Sequence, residues 1–384
     1  MLSTHRQAEL DWLRGLMLVL MTVTHLPTWF SAQLGQPLGY VSAAEGFVFV
    51  SAFLVGSVYT RIARNQGFAA VRWRLWRRTV QIYLAHVAVL LFLLWALLPI
   101  AIGKGALPVT DLASFYLRQP DQALVGGLML VYNPPLLDIL PMYVLFMAVS
   151  PLLLERASRR GWRGIAAASA GLWLLAQLGG GKPIYESIAA LFALPVPYDQ
   201  TGAFSFLGWQ AMWVGGLWAG TRSVDADPVP SIRSQPVLMA AAAIAVVFFF
   251  WRHWAGQGPS AAPLIAHALD KWHLGALRIV DFTALLVLVI AARRTIAQWA
   301  QRSVLATLGK VSLTVFCAHI VICLAALASV ADPAPAQLHW RDSALLASTL
   351  VTLYLIALVS VEGKRAVPRL RAAINARLAA RTVR

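Results

Sequence analysis

Acid is scarce in this chain: 16 of its 384 residues are Asp or Glu, and charged residues of both signs make up only 12%. No polar stretch is long enough to fold as a soluble domain, so residues 1–384 read as one domain. Cysteine is nearly absent. Cys317 and Cys323 share one apolar run, which fits small core residues and implies no disulfide. There is no HExxH and no zinc-spaced cysteine pair, so no metal site is expected. No Walker or dinucleotide glycine motif precedes a helix. The first apolar run is too long for a cleavable signal and has no small-residue cleavage site after it. Internal symmetry with paired broken helices, as in secondary transporters, is also missing.

What is present is apolar. Hydrophobic residues make up 59% and mean hydropathy is +0.68. That is the composition of a polytopic membrane protein. The expected fold is all-α, a bundle of about ten spans: roughly 10–30, 43–61, 80–102, 136–154, 164–180, 202–220, 236–252, 274–292, 307–330 and 342–361. With the N-terminus in the cytoplasm, 25 of the 32 basic residues fall on the inner side. They include Arg6, Arg233, Arg302 and a basic tail from about 362 that ends at Arg384. The positive-inside rule therefore puts both ends in the cytoplasm. The net charge of +16 then faces anionic lipid, and nucleic acid is not expected as a partner.

The chain is organised around ELDWLRGLMLVLMTVTHLPTWF, residues 9–30. Arg14 and His25 are eleven residues apart, a rise of roughly 16 Å, and about 20° from the same helix face. An intramembrane imidazole is a functional candidate by default. His25 suits a general base at neutral pH. It also fits a buried histidine bonded to a neighbouring helix, or one exposed where Pro27 breaks the helix. Arg14, at the water edge, suits an anionic head group.

Further polar groups sit at membrane depth. Glu45 opens the second span and is a candidate to orient His25, as the acid of a triad does; it equally fits a charge at a helix N-terminus. Arg74 and Arg78, four apart, share a face suited to phosphates or to lipid. His86 lies two turns further along. Asp138, in NPPLLDILPMYV, fits an acceptor hydroxyl or a helix cap. Lys271, Arg278 and Asp281 surround the eighth span, where Arg278 and Asp281 could pair, and His319 lies in the ninth. The outer loops 103–135, 181–201 and 253–273 mix aromatics with amides and carboxylates, which fits a sugar cradle or an interfacial aromatic belt.

These residues resemble a known family. The Arg14–His25 spacing resembles the hallmark of the transmembrane acyltransferase superfamily. The order LDWLRGL…HLP, SAAEGFVFVSAFLVG, RRTVQIYLAH, PPLLDILPMYV and SLTVFCAHIVI resembles its OpgC branch, from about residue 9 to 361. The family's Ser-Gly is Ser51-Ala52 here, a departure that bears on local packing. That branch is associated with succinylation of osmoregulated periplasmic glucans in the bacterial inner membrane. The resemblance implies no resident cofactor but an acyl-CoA co-substrate, succinyl-CoA first among them, and a glucan acceptor. Its head group would sit at Arg14, Arg74 and Arg78. His25 and Glu45 would be catalytic, by direct transfer or through an acyl-histidine. Asp138, His86, Lys271 and Arg278 would meet substrate, with Lys271 or Arg278 facing a succinyl carboxylate. The alternative is a glycan or small-anion transporter that does no acyl transfer.

Overall fold

A computed structural model describes residues 8–225, 232, 234–255, 262–300, 303–329 and 337–382, with side chains as far as residue 363 apart from 225 and 255. Arg6, Arg233, Arg302 and Arg384 lie outside the described residues, as do the tail's side chains from Lys364 onward. Every described helix or turn belongs to an all-helical fold, with no strand among these residues.

Helix α1 is Ala8–His25. It stops at His25, short of residue 30, because Pro27 has no N–H to offer and disfavours helical geometry in Leu26. The imidazole is thus the last residue of the helix. Helix α2, Ala43–Leu91, begins with a capping box: Ser42 Oγ accepts from the Ala44 N–H, and Glu45 reaches back to the Ser42 N–H. Gly67 breaks it, with φ 77° and ψ 170°, a conformation open mainly to glycine. The expected second span lies in its first half; the third runs from its second half through the π-helical turn Phe92–Leu97 into Leu98–Lys104.

The expected outer loop 103–135 is built of short helices, the last being α3, Pro120–Leu128. Then come α4 (Ile139–Arg160), α5 (Arg163–Gln177), α6 (Phe206–Asp225), α7 (Gln235–Ala255) and α8 (Ala276–Ala300). The expected ninth span is not straight. It is α9 (Val304–Lys310) and α10 (Ser312–Leu327), bent by 98°. Helix α11 is Trp340–Thr382.

By length and composition, four described helices can cross a membrane: Ala43–Lys104, Ile139–Arg160, Gln235–Trp254 and Trp340–Gly363. The bent pair α9–α10 adds a fifth if it is one span. The sequence reading expects ten. The difference has a physical cause: α1 carries Glu9, Asp11 and Arg14, and α8 carries Arg278, Asp281, Arg293 and Arg294. Those charges and the 15-residue length of α5 account for part of the difference. The Ala43–Lys104 segment also counts once although Gly67 divides it.

Helix α1 packs against α2, α8, α9 and α10. Its crossing with α9 is very close. A Cβ on Gly309 would come within 1.8 Å of the Asp11 carbonyl oxygen, and one on Gly15 within 1.9 Å of that of Leu305. Small residues let helix backbones meet in this way, where packing rather than hydrophobic exclusion holds helices together. Helices α2 and α6 use the same device: Gly56 faces the Leu217 carbonyl, and Gly216 and Gly220 face Phe49 and Phe53. Ala52 is fully buried there, its Cβ against Gly216.

Candidate active site

Arg14, Arg74 and Arg78 line one cavity of about 1010 Å3, the upper end of the usual range for small-molecule sites. Both halves of α2 form its walls, with α1, α4 and α10 completing it. Arg61, Asn65, Gln66 and Arg74 are exposed at its mouth; Arg78 and Arg14 are partly buried. Positive charge therefore continues from the surface inward. Arg74 Nη2 donates to Gln66 Oε1 at 2.7 Å. Arg14 donates to Ser312 Oγ on α10, and its guanidinium lies 5.9 Å from the Phe47 ring centre. A guanidinium is a planar fork of N–H donors, a geometry that suits phosphate oxygens.

Beyond Arg14 the cavity meets Phe47 and Phe316, stacked with centroids 5.9 Å apart. Phe316 packs edge-on to His319 at 4.9 Å. His319, fully buried, meets His25: Nε2 of His319 lies 3.2 Å from Nδ1 of His25, with the rings nearly parallel. One nitrogen must donate and the other accept, so this contact couples the tautomers of the two rings. Nε2 of His25 lies outside it.

The other expected residues separate into distinct settings. Glu45 is fully buried in an ion pair with Arg278. Arg278 Nε donates to Glu45 Oε1 at 2.9 Å, and Nη2 donates to the same oxygen. Glu45 Oε2 accepts from the Ser42 N–H at 3.0 Å and from Ser42 Oγ at 2.5 Å. Both carboxylate oxygens are thus engaged, and among the described residues no hydrogen bond joins Glu45 to His25. Asp281 pairs instead with backbone: its Oδ2 accepts from the Tyr40 N–H at 2.8 Å. His86 is fully buried and its Nε2 lies 3.2 Å from the Gly127 carbonyl, fastening α2 to α3. Asp138 stands at the start of α4 and accepts from the Ala203 N–H at 3.2 Å.

Lys271 belongs to the 269–275 turn. Its Nζ lies 4.8 Å from the Trp272 ring centre and 5.6 Å from that of Phe204. Burial pushes its amine down; the carboxylates of Glu45 and Asp138 oppose that shift and Arg278 adds to it. Its turn is tied down by neighbours: the Trp209 indole donates to the Lys271 carbonyl at 3.1 Å, and the Ser205 N–H to that of Trp272 at 2.9 Å. Gly208 packs on the His273 carbonyl, where a Cβ would come within 2.4 Å.

The sequence reading passed over His319 as one more polar group. Its signal, a lone histidine in an apolar run, was visible; its partner, 294 residues away, was not.

An all-helical protein with several membrane-length helices and a polar, histidine-bearing interior is the class these features define. The chain belongs to the OpgC family: the family model described as OpgC protein matches residues 6–365, nearly the whole length. Membership suggests a glucan-modifying, acyltransferase-like role and a membrane location. No curated protein and no solved structure matches the chain.

Proposed function

We propose that the protein is an acyl-CoA-dependent O-acyltransferase of the bacterial inner membrane, which passes a succinyl group from cytoplasmic succinyl-CoA to a hydroxyl of a periplasmic glucan. The observation that supports it best is the cavity shared by Arg14, Arg74 and Arg78, with Arg14 on the helix that ends in His25. Three guanidinium groups suit the phosphates of CoA, and a pantetheine arm laid along α1 carries the thioester toward the imidazole.

In this reading His25 carries its proton on Nδ1, donated to His319, and Nε2 is the base. Nε2 takes the glucan hydroxyl proton as the oxygen attacks the thioester carbonyl. The carbon–oxygen ester bond forms, the carbon–sulfur bond breaks, and the thiolate leaves with the proton that His25 held. Glu45 serves by fixing α2 to α8 through Arg278. Asp138, at the far end, meets the acceptor hydroxyls. General-base assistance of this kind contributes roughly 10²- to 10⁴-fold.

The test is purified protein in nanodiscs with succinyl-CoA and a periplasmic-type glucan, following thiol release and glucan mass together. Thiol release matched by a one-succinyl mass gain, both lost in His25→Ala, is the expected result. Binding of glucan without thiol release from any CoA thioester would replace this reading with a transporter.

A further inference from the structure

A second cavity, of about 520 Å3, lies apart from the candidate active site and within the size range of small-molecule sites. It is on the other side of α2 from the first: Arg61 and Asn65 line one cavity, Thr60 and Arg64 the other. The last turns of α4 and α6 and the start of α5 complete it. Thr60 and Thr221 share a hydrogen bond, Oγ1 to Oγ1 at 3.3 Å, which ties α2 to α6 in its wall. Its floor is apolar: Leu154 and Ala157 are buried, and Phe68 and Trp162 pack on the main core. Its rim is cationic. Arg64, Arg163 and Arg222 are exposed there, and no acidic residue lines the cavity among the described residues. Glu155, the acid of α4, already bridges Arg72 and Arg159. Among the described residues Arg163 and Arg222 have no ion pair and no side-chain hydrogen bond. Arg163 is also the first residue of α5, where the helix dipole disfavours a cation and favours an anion.

We propose that this cavity binds the phosphate of an anionic phospholipid at its three arginines, with the apolar part of the lipid laid against Phe68, Trp162 and the exposed Trp218. The assignment does not depend on acyl transfer; it needs only the membrane location that the family suggests. Three guanidinium forks around an opening suit phosphate oxygens. A soluble phosphate ester would answer the arginines but leave the apolar floor uncovered, whereas a lipid satisfies both. Basic pockets between membrane helices hold anionic head groups in this way. An occupant would touch α2 on both sides of its break, at Arg64 before Gly67 and at Phe68 after it.

The experiment is native mass spectrometry of the full chain released from detergent. It is titrated with phosphatidylglycerol, with phosphatidylcholine and, for the head group alone, with glycerol 3-phosphate. The wild type should bind phosphatidylglycerol roughly 10- to 100-fold more tightly than phosphatidylcholine, whose choline cancels the phosphate charge. The triple variant Arg64→Gln, Arg163→Gln, Arg222→Gln should lose that preference. These arginines are exposed, so their replacement spares the core, and an unchanged Tm without added lipid checks this. A control with the same loss of charge at the end of α4, Arg156→Gln, Arg159→Gln, Arg160→Gln, should keep the preference. Equal binding of the two lipids by the wild type, a preference unchanged in the first variant, or an equal loss in both variants overturns the site. Displacement of phosphatidylglycerol by glycerol 3-phosphate at matched concentration overturns the lipid and gives the cavity to a soluble phosphate ester.

Discussion

At the scale of single residues, charge placement decides what each group does. Arg14→Ala should raise the KM for the acyl-CoA donor by about one to two factors of ten, with a smaller effect on kcat. An unchanged donor KM would reduce Arg14 to an anchor between α1 and Ser312. Glu45→Ala strands the buried Arg278 guanidinium and should cost about 3–5 kcal/mol, read as a lower unfolding midpoint in detergent. The double variant Glu45→Met with Arg278→Met removes both charges and should lose less than Glu45→Ala alone. A third effect depends on pH. His273 Nδ1 lies 2.5 Å from Asp270 Oδ2 in the turn that carries Lys271. That hydrogen bond raises the His273 pKa above its ordinary 6.5. For Asp270, burial pushes up, but hydrogen bonds from His273 and the Trp272 N–H hold the carboxyl below its ordinary 3.8. The stability this pair adds is therefore complete between those two ordinary values. It fades as pH rises through the elevated His273 pKa, or falls through the depressed Asp270 one. His273→Ala should then destabilise the protein more at about pH 5.5 than at about pH 9, measured as the difference in Tm from wild type.

At the scale of helices, two glycines do opposite work. Gly309 has the right backbone conformation for any residue but no space; Gly67 has open space but a backbone with φ 77°. Gly309→Val should separate α9 from α1 and lower Tm sharply, together with activity. Gly67→Ala should cost about 1–3 kcal/mol of backbone strain. It should act through the relation between the halves of α2, so donor binding falls along with stability. Equal tolerance of both substitutions in a thermal unfolding assay would contradict this division. The same contrast explains what the sequence disclosed. Helix α1 was legible because Arg14 and His25 are local signals whose spacing gives the shared face; its end was not, since the reading ran the span to residue 30 and the helix stops at His25. Glu45 was legible as a charge at a helix N-terminus, but the box it closes with Ser42 was not read from the sequence. Nor was the bend between α9 and α10. Val311 leaves helical geometry at φ −124° and ψ 34° with no proline near it, beside the close approach of Gly309 to Asp11, which no local pattern encodes. The pairings of Glu45 with Arg278 and of His25 with His319 were hidden likewise, because a buried charge announces that it needs a partner without saying which.

At the scale of the whole molecule, the distribution of arginine makes a claim about direction. If both ends are cytoplasmic, residue 65 is inside and residue 119 outside. With Cys317 and Cys323 first replaced by Ala, Asn65→Cys should resist a membrane-impermeant maleimide in intact cells and Gln119→Cys should react. The reverse pattern would invert the proposed path of the acyl group. One further consequence follows from the ties that build the site. Arg14 with Ser312, His25 with His319, and Glu45 with Arg278 each join the first fifty residues to the chain beyond residue 275. A ribosome must therefore deliver more than two thirds of the polypeptide before any of these groups finds its mate. Until then the nascent chain holds an unmatched glutamate and histidine among its first inserted helices. The site cannot form piecemeal: chains that terminate early lack it altogether and display bare charge in the bilayer, a mark that membrane proteolysis can recognise.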